Sequence, residues 1–158
     1  MKIAIGSDER THLTDFVIEE LKRRGHDPLP FGPLAENDPE KDWPQTSSNV
    51  ATAVATSQAD EGIVFCWTGT GASIAANKVS GVRAALCHDA ETAQGARTWN
   101  HANVLALSLR ATTEGIAKEI LDAWFATPYS DDAWNHQQME RIRQLEERTN
   151  AHMDSSSA

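Results

Sequence analysis

Five short apolar runs, each followed by a stretch with helical spacing, constrain this chain more than any other feature. The runs cover 2–6, 28–31, 61–66, 82–87 and 102–108. Each is too short for a helix and gives way to glycine or polar residues, which reads as a buried strand closing into a loop. Between them, Leu13, Phe16, Val17, Ile18 and Leu21 recur on one helical face over 13–24, with Thr14 or Asp15 to cap the start and Gly25 to stop the helix. Helical spacing returns over about 45–58, 72–78, 89–98, 113–126 and 131–149, while Gly32, Pro33, Pro39 and Pro44 make 32–44 a loop. Strand and helix alternating in this way predict an α/β fold: a three-layer αβα sandwich on a five-stranded, parallel, Rossmann-like sheet. One domain is expected over 1–150, with a polar, serine-rich, disordered tail over 151–158.

Charge and composition remove several partners. The formal net charge of -9 gives an acidic surface, which opposes binding to nucleic acid and to anionic membranes. No run reaches the roughly 20 apolar residues of a spanning helix. The segment Met1 to Gly6 enters a strand directly, without a cleavable signal pattern, so a cytoplasmic location is expected. Cys66 and Cys87 lie inside apolar runs, and their spacing suggests neither a disulfide framework nor a zinc site.

Ligands of such sheets bind beyond the carboxyl ends of the strands. That directs attention to Ser7-Asp8-Glu9, to Cys66 through Gly71, to His88-Asp89 and to Arg110, with Trp99-Asn100-His101 in the loop that enters the fifth strand. The segment Cys66-Trp67-Thr68-Gly69-Thr70-Gly71 is the most informative. Its glycines allow close backbone approach, and the helix after it offers free amides to negative charge. It is not a nucleotide loop, because G-x-x-x-x-G-K-[ST] is absent and Ile74 stands where a third dinucleotide-loop glycine belongs. From the residues alone it is either a tight turn or an anion hole. Cys66 is either a small buried hydrophobe or a base, and Cys87, without a glycine-rich neighbour, reads as structural.

The run from Gly62 through Lys78, GIVFCWTGTGASIAANK, resembles the signature of the ribose-5-phosphate isomerase B and galactose-6-phosphate isomerase family. Ile3 to Asp8, Gly81 to Ala84, Asn103 to Ala106 and His136-Gln137-Gln138 extend the likeness over 2–148. The resemblance implies an aldose–ketose isomerisation through an enediolate, without metal or organic cofactor. It makes Cys66 the base, the amides of Trp67, Thr68, Gly69, Thr70 and Gly71 the oxyanion hole, and Thr68 the group that assists ring opening or orients a hydroxyl. Asp8 and Asn100 would hydrogen-bond the sugar. It also implies a homodimer or homotetramer with a site shared between subunits and the C-terminal helix reaching over the partner.

Three departures bear on the substrate. Glu9 replaces the family's histidine after the first aspartate, and Trp99 replaces its ring-opening histidine. Asn135 and Met139 stand where the C-terminal helix of ribose-phosphate enzymes supplies two arginines to the phosphate. Each charge-assisted bond to phosphate contributes about 1.5–3 kcal/mol, so these losses weaken phosphate binding severely. Arg110 is kept, and Arg141 or Arg143 would substitute if the helix were shifted. The expected substrate is thus a small sugar, sugar acid or sugar phosphate held without the usual clamp. Trp67 and Trp99 either offer flat apolar faces to sugar C–H groups or serve plain core packing. His101 and His88 are the remaining candidates for ring opening, and an open-chain tetrulose would need none. The rival readings are ordinary ribose-5-phosphate isomerisation with a rearranged phosphate site, and a sugar-binding protein without turnover.

Overall fold

The computed structural model describes residues 1–155, with side chains through 148. Five strands, β1 (Lys2–Ser7), β2 (Asp27–Phe31), β3 (Glu61–Cys66), β4 (Ala84–Leu86) and β5 (Val104–Ser108), form one sheet in the order β2-β1-β3-β5-β4. Every adjacent pair is parallel. Six helices accompany them: α1 (His12–Arg23), α2 (Trp43–Ala55), α3 (Thr70–Ala76), α4 (Ala90–Asn100), α5 (Glu114–Ala126) and α6 (Ala133–Ser155). The αβα sandwich expected from the alternation is what forms. β2 sits at the edge, where Pro28 and Pro30 cost no ladder bonds on the open side.

The pleat sorts the strand side chains by size. Ile3, Ile5, Ile63, Phe65, Leu105 and Leu107 face one layer and bury against α1, α4 and α5. Ala4, Val64, Cys66, Val104 and Ala106 face the other and meet α2 and α3. On this second face Gly6 and Gly62 let α2 come close. A Cβ on Gly6 would lie 2.7 Å from Val50 Cγ2 and 2.8 Å from Thr46 Cγ2. Gly6→Ala is therefore expected to cost about 1–3 kcal/mol by overpacking, read as a lowered thermal midpoint, although the change adds apolar bulk.

Each connection moving toward the β2 edge carries its helix on the large-residue face, and each moving toward the β4 edge on the small-residue face. A single crossover hand requires this division.

Local differences from the sequence reading have local causes. Thr11 caps α1, its hydroxyl receiving the Thr14 amide while Thr14 Oγ1 accepts the Thr11 amide, so the helix starts earlier than the apolar spacing indicates. The helix α6 runs through Ser155 rather than stopping at 149, since neither glycine nor proline follows Pro128. The first five residues of the expected tail, 151–155, are thus helical, and 156–158 lie outside the described residues. No helix among the described residues is long and apolar enough to cross a membrane.

Candidate active site

The crossover pattern opens a crevice above the end of β3. Its neighbours β1 and β5 lead to α1 and α5 on the large-residue face, whereas β3 leads to α3 on the opposite face. Loops that part in this way leave a gap between them, the usual ligand position in open α/β sheets. By this topology the 67–69 turn leaves on one side of the gap, and the segments after β1 and β5 leave on the other.

Cys66 is the last residue of β3 and is 6% exposed, with its sulfur accepting the Ala72 amide at 3.4 Å. The turn above it is held from beneath. Cys66 O accepts the amides of Gly69 at 3.2 Å and Leu109 at 3.0 Å. Trp67 O accepts the Arg110 amide at 3.0 Å and the Ser108 hydroxyl at 2.9 Å. Gly69 caps α3 in the left-handed region at φ +76°, with Leu86 and the Leu107 backbone packed where a side chain would stand. The amides of Thr70 and Gly71, in the first turn of α3, have no acceptor among the described residues. Thr68 and Thr70 share a hydroxyl hydrogen bond of 2.7 Å. The result is a fixed turn that presents backbone N–H groups beside a sulfur.

The remaining candidates also follow the carboxyl ends of strands, Asp8 and Glu9 after β1 and Arg110 after β5. Asp8 is half-buried, one carboxylate oxygen has no partner, and burial, reinforced by Glu9, pushes its pKa up. Glu9 is exposed, its amide bonded to Ser7 Oγ. Arg110 is exposed and makes no ion pair among the described residues. Trp67 is 61% exposed, so its ring is not a core element. Cys87, by contrast, is 1% exposed and burial lifts its thiol to about 12, which removes it from acid–base chemistry near neutrality.

Trp99, Asn100 and His101 do not join this group within one chain. Trp99 and Asn100 form the last turn of α4 rather than a loop, and His101 is its left-handed cap. Because α4 runs back against the strands, that turn lies at the amino edge, where Asn103 bonds Gly62 and Arg83 and His101 O accepts Arg83 Nε. The length of β3 separates it from Cys66, on the order of 15 Å. His101 is buried, its ring stacked on Tyr129 at 4.7 Å and its Nε2 3.0 Å from Ser130 O, and so it is occupied structurally. His88 is exposed beside Asp89.

The C-terminal helix offers no substitute clamp in this chain's own crevice. Asn135 is 3% exposed and bonded to Asp132, whose carboxylate caps the helix start. Arg143 is paired with Glu140 and Glu147, and Arg141 donates to Gln138.

Two neighbours of the turn were not legible as such in the sequence. Ser108 hides at the end of an apolar strand. Trp43 opens α2 just before Pro44, and a Cβ on Gly71 would lie 3.0 Å from its ring. The proline spacing puts Pro44 in a loop, although proline in the first turn is also a helix-start signal.

Comparison with known proteins identifies the family. The family model described as Ribose/Galactose Isomerase matches residues 3–145. Ribose-5-phosphate isomerase B of Escherichia coli (strain K12) is 38% identical over 151 residues, covering 94% of this chain and 99% of the relative. D-erythrulose-4-phosphate isomerase of Pectobacterium atrosepticum is also 38% identical, over 78% of this chain and 82% of its own length. The solved structure of Clostridium thermocellum ribose-5-phosphate isomerase B superposes with a TM-score of 0.86 at 36% identity, covering 94% of this chain and 99% of that one. With the motif, the sheet order and these matches in agreement, the chain belongs to the ribose/galactose isomerase family.

Proposed function

We propose that this protein is an aldose–ketose isomerase acting on a small, open-chain sugar or sugar phosphate through a cis-enediolate, with Cys66 as the base. The observation that carries the reading is the sulfur at the end of β3, set against the Ala72 amide and next to the unpartnered amides of Thr70 and Gly71. Starting from the aldose, the Cys66 thiolate takes the proton from carbon 2. The electron pair forms the carbon 1–carbon 2 double bond, and negative charge moves onto the carbonyl oxygen. Amides of the 67–71 turn hold that oxyanion, the contribution that usually dominates such catalysis. The thiol returns its proton to carbon 1, and the proton on oxygen 2 passes to oxygen 1, leaving the ketose. Thr68 orients a hydroxyl, and the free oxygen of Asp8 accepts one. These steps call for no metal or organic cofactor.

The substrate class follows from what the site lacks. Trp99 cannot donate the proton that opens a furanose ring, and an open-chain tetrulose needs no such donor. A phosphorylated tetrulose is the named substrate of one relative at 38% identity, which supports this reading. Ordinary ribose-5-phosphate isomerisation is the second reading, favoured by the nearly full-length match to the Escherichia coli enzyme and by the unpaired Arg110.

A second copy of the chain completes the site. Trp99 and Asn100 are too far from their own Cys66, and they border a groove of about 540 Å³ with Trp134, Ile142 and Leu145 of α6. Trp99, Trp134 and Leu145 are 61%, 65% and 60% exposed, a face that association would cover. Light scattering on the eluting protein is expected to give a dimer or tetramer, and a fully active monomer would remove this part of the reading.

Free and phosphorylated C4–C6 aldoses, ketoses and uronates, screened with wild type and Cys66→Ala, test the whole reading. The expected product comes from a four-carbon substrate, with wild type only. Efficient turnover of ribose 5-phosphate with no activity on tetruloses would establish the second reading instead.

A further inference from the structure

We infer that the buried Arg97–Glu61 pair is a positioning device that sets Trp99 and Asn100 for their work at the active site. The inference rests on the reading above, in which those two residues face substrate in a second copy's crevice.

Arg97 and Glu61 are 9% and 8% exposed, and Arg97 Nη2 meets Glu61 Oε1 at 2.8 Å. Arg97 Nη1 donates to Ala102 O at 2.7 Å and to the Tyr129 hydroxyl at 2.9 Å. The guanidinium lies over the rings of Trp124 and Tyr129, 4.9 and 4.4 Å from their centroids. Glu61 Oε2 accepts the Trp124 indole N–H at 2.6 Å. One side chain of α4 therefore ties together the start of β3, the last turn of α5, the entry to β5 and the connector to α6. His101 is drawn in through its stacking on Tyr129, and its φ of +47° ends α4.

Burying an ion pair is expensive, and an apolar pair of similar volume is often as stable or more so. What the guanidinium adds is direction: its donors leave a rigid plane at fixed angles. Trp99 and Asn100 lie two and three residues further along the same turn and are exposed. The Trp99 ring packs on its own helix, where a Cβ on Gly95 would be 3.0 Å away, and borders the groove along α6. The aim of both side chains is consequently set by where the turn ends, and Arg97 determines that.

Arg97→Lys keeps the charge beside Glu61 but cannot hold Glu61, Ala102 O and Tyr129 together. With D-erythrulose 4-phosphate and ribose 5-phosphate as probes, the folded variant is expected to lose about 10–100-fold in kcat, with KM little changed. On an Asn100→Ala background the same substitution should cause little further loss, because Arg97 acts through that turn. In nitrogen-15 NMR the Trp99 indole signal, assigned with Trp99→Phe, should shift or broaden while those of Trp43 and Trp67 stay in place. If Arg97→Lys does not fold, Tyr129→Phe, which removes one hydroxyl, takes the same three measurements. Wild-type kcat, full additivity with Asn100→Ala, or an unmoved Trp99 signal would overturn the inference while leaving the active-site reading intact. Wild-type turnover in both Asn100→Ala and Trp99→Ala would overturn both.

Discussion

Cys66→Ala is expected to lower kcat by about 10²- to 10⁴-fold while the protein stays folded, because on the proposed mechanism it removes the proton carrier at the amide-lined turn. The fold should tolerate the change. Cys66 sits in the small-residue layer with Ala4, Ala72 and Ala106, and alanine fits that layer without new bulk. Loss of the sulfur also leaves the buried Ala72 amide without its acceptor, at a cost of about 1–3 kcal/mol, small enough for the protein to remain folded. Binding should change far less than turnover, since the amides of Thr70 and Gly71 and the carboxylate of Asp8 remain. Proton–deuterium exchange at carbon 2 of the substrate gives the cleaner measurement, because an active base exchanges even a poor substrate. Exchange in Cys66→Ala at the wild-type rate would remove Cys66 from the mechanism.

Gly69→Ala is expected to impair stability and turnover together. The backbone at Gly69 has φ +76°, where an L side chain costs roughly 1–2 kcal/mol. A Cβ there would also lie 2.6 Å from Leu86 Cδ1 and 2.9 Å from the carbonyl carbon of Leu107. The Leu86 side chain can shift, but the Leu107 backbone belongs to central strand β5 and cannot do so cheaply. Overpacking adds about 1–3 kcal/mol, so the total cost is about 2–5 kcal/mol, measured by denaturant unfolding. The strain falls on the turn that carries the free amides, so residual folded enzyme should also turn over more slowly. Wild-type stability and kcat in Gly69→Ala would show that the turn is looser than the geometry indicates.

The carboxyl-end half of the candidate site was legible because it is continuous in the chain. Cys66 through Gly71 form one segment between a strand and a helix, so their proximity follows from covalent connection and the need to reverse direction. Asp8 and Arg110 were legible by one further step, because parallel strands put all their exits on one edge. Trp43 was not, because its approach to Gly71 depends on how closely α2 packs on the glycines of β1 and β3. Trp99-Asn100-His101 show the opposite limit. Their place in the sequence is clear, but only the direction of α4 puts them at the far edge of the sheet.

Periodicity, turn chemistry and chain continuity act over a few residues, so the elements, their alternation and the residues of the glycine-rich turn could be read from the chain alone. Tertiary structure decided which residues face one crevice, how Arg97 is shared among β3, α4, α5 and the α6 connector, and that Asn135 serves as part of a helix start. Those outcomes depend on strand order and helix direction, which are settled by burying two faces of one sheet at once.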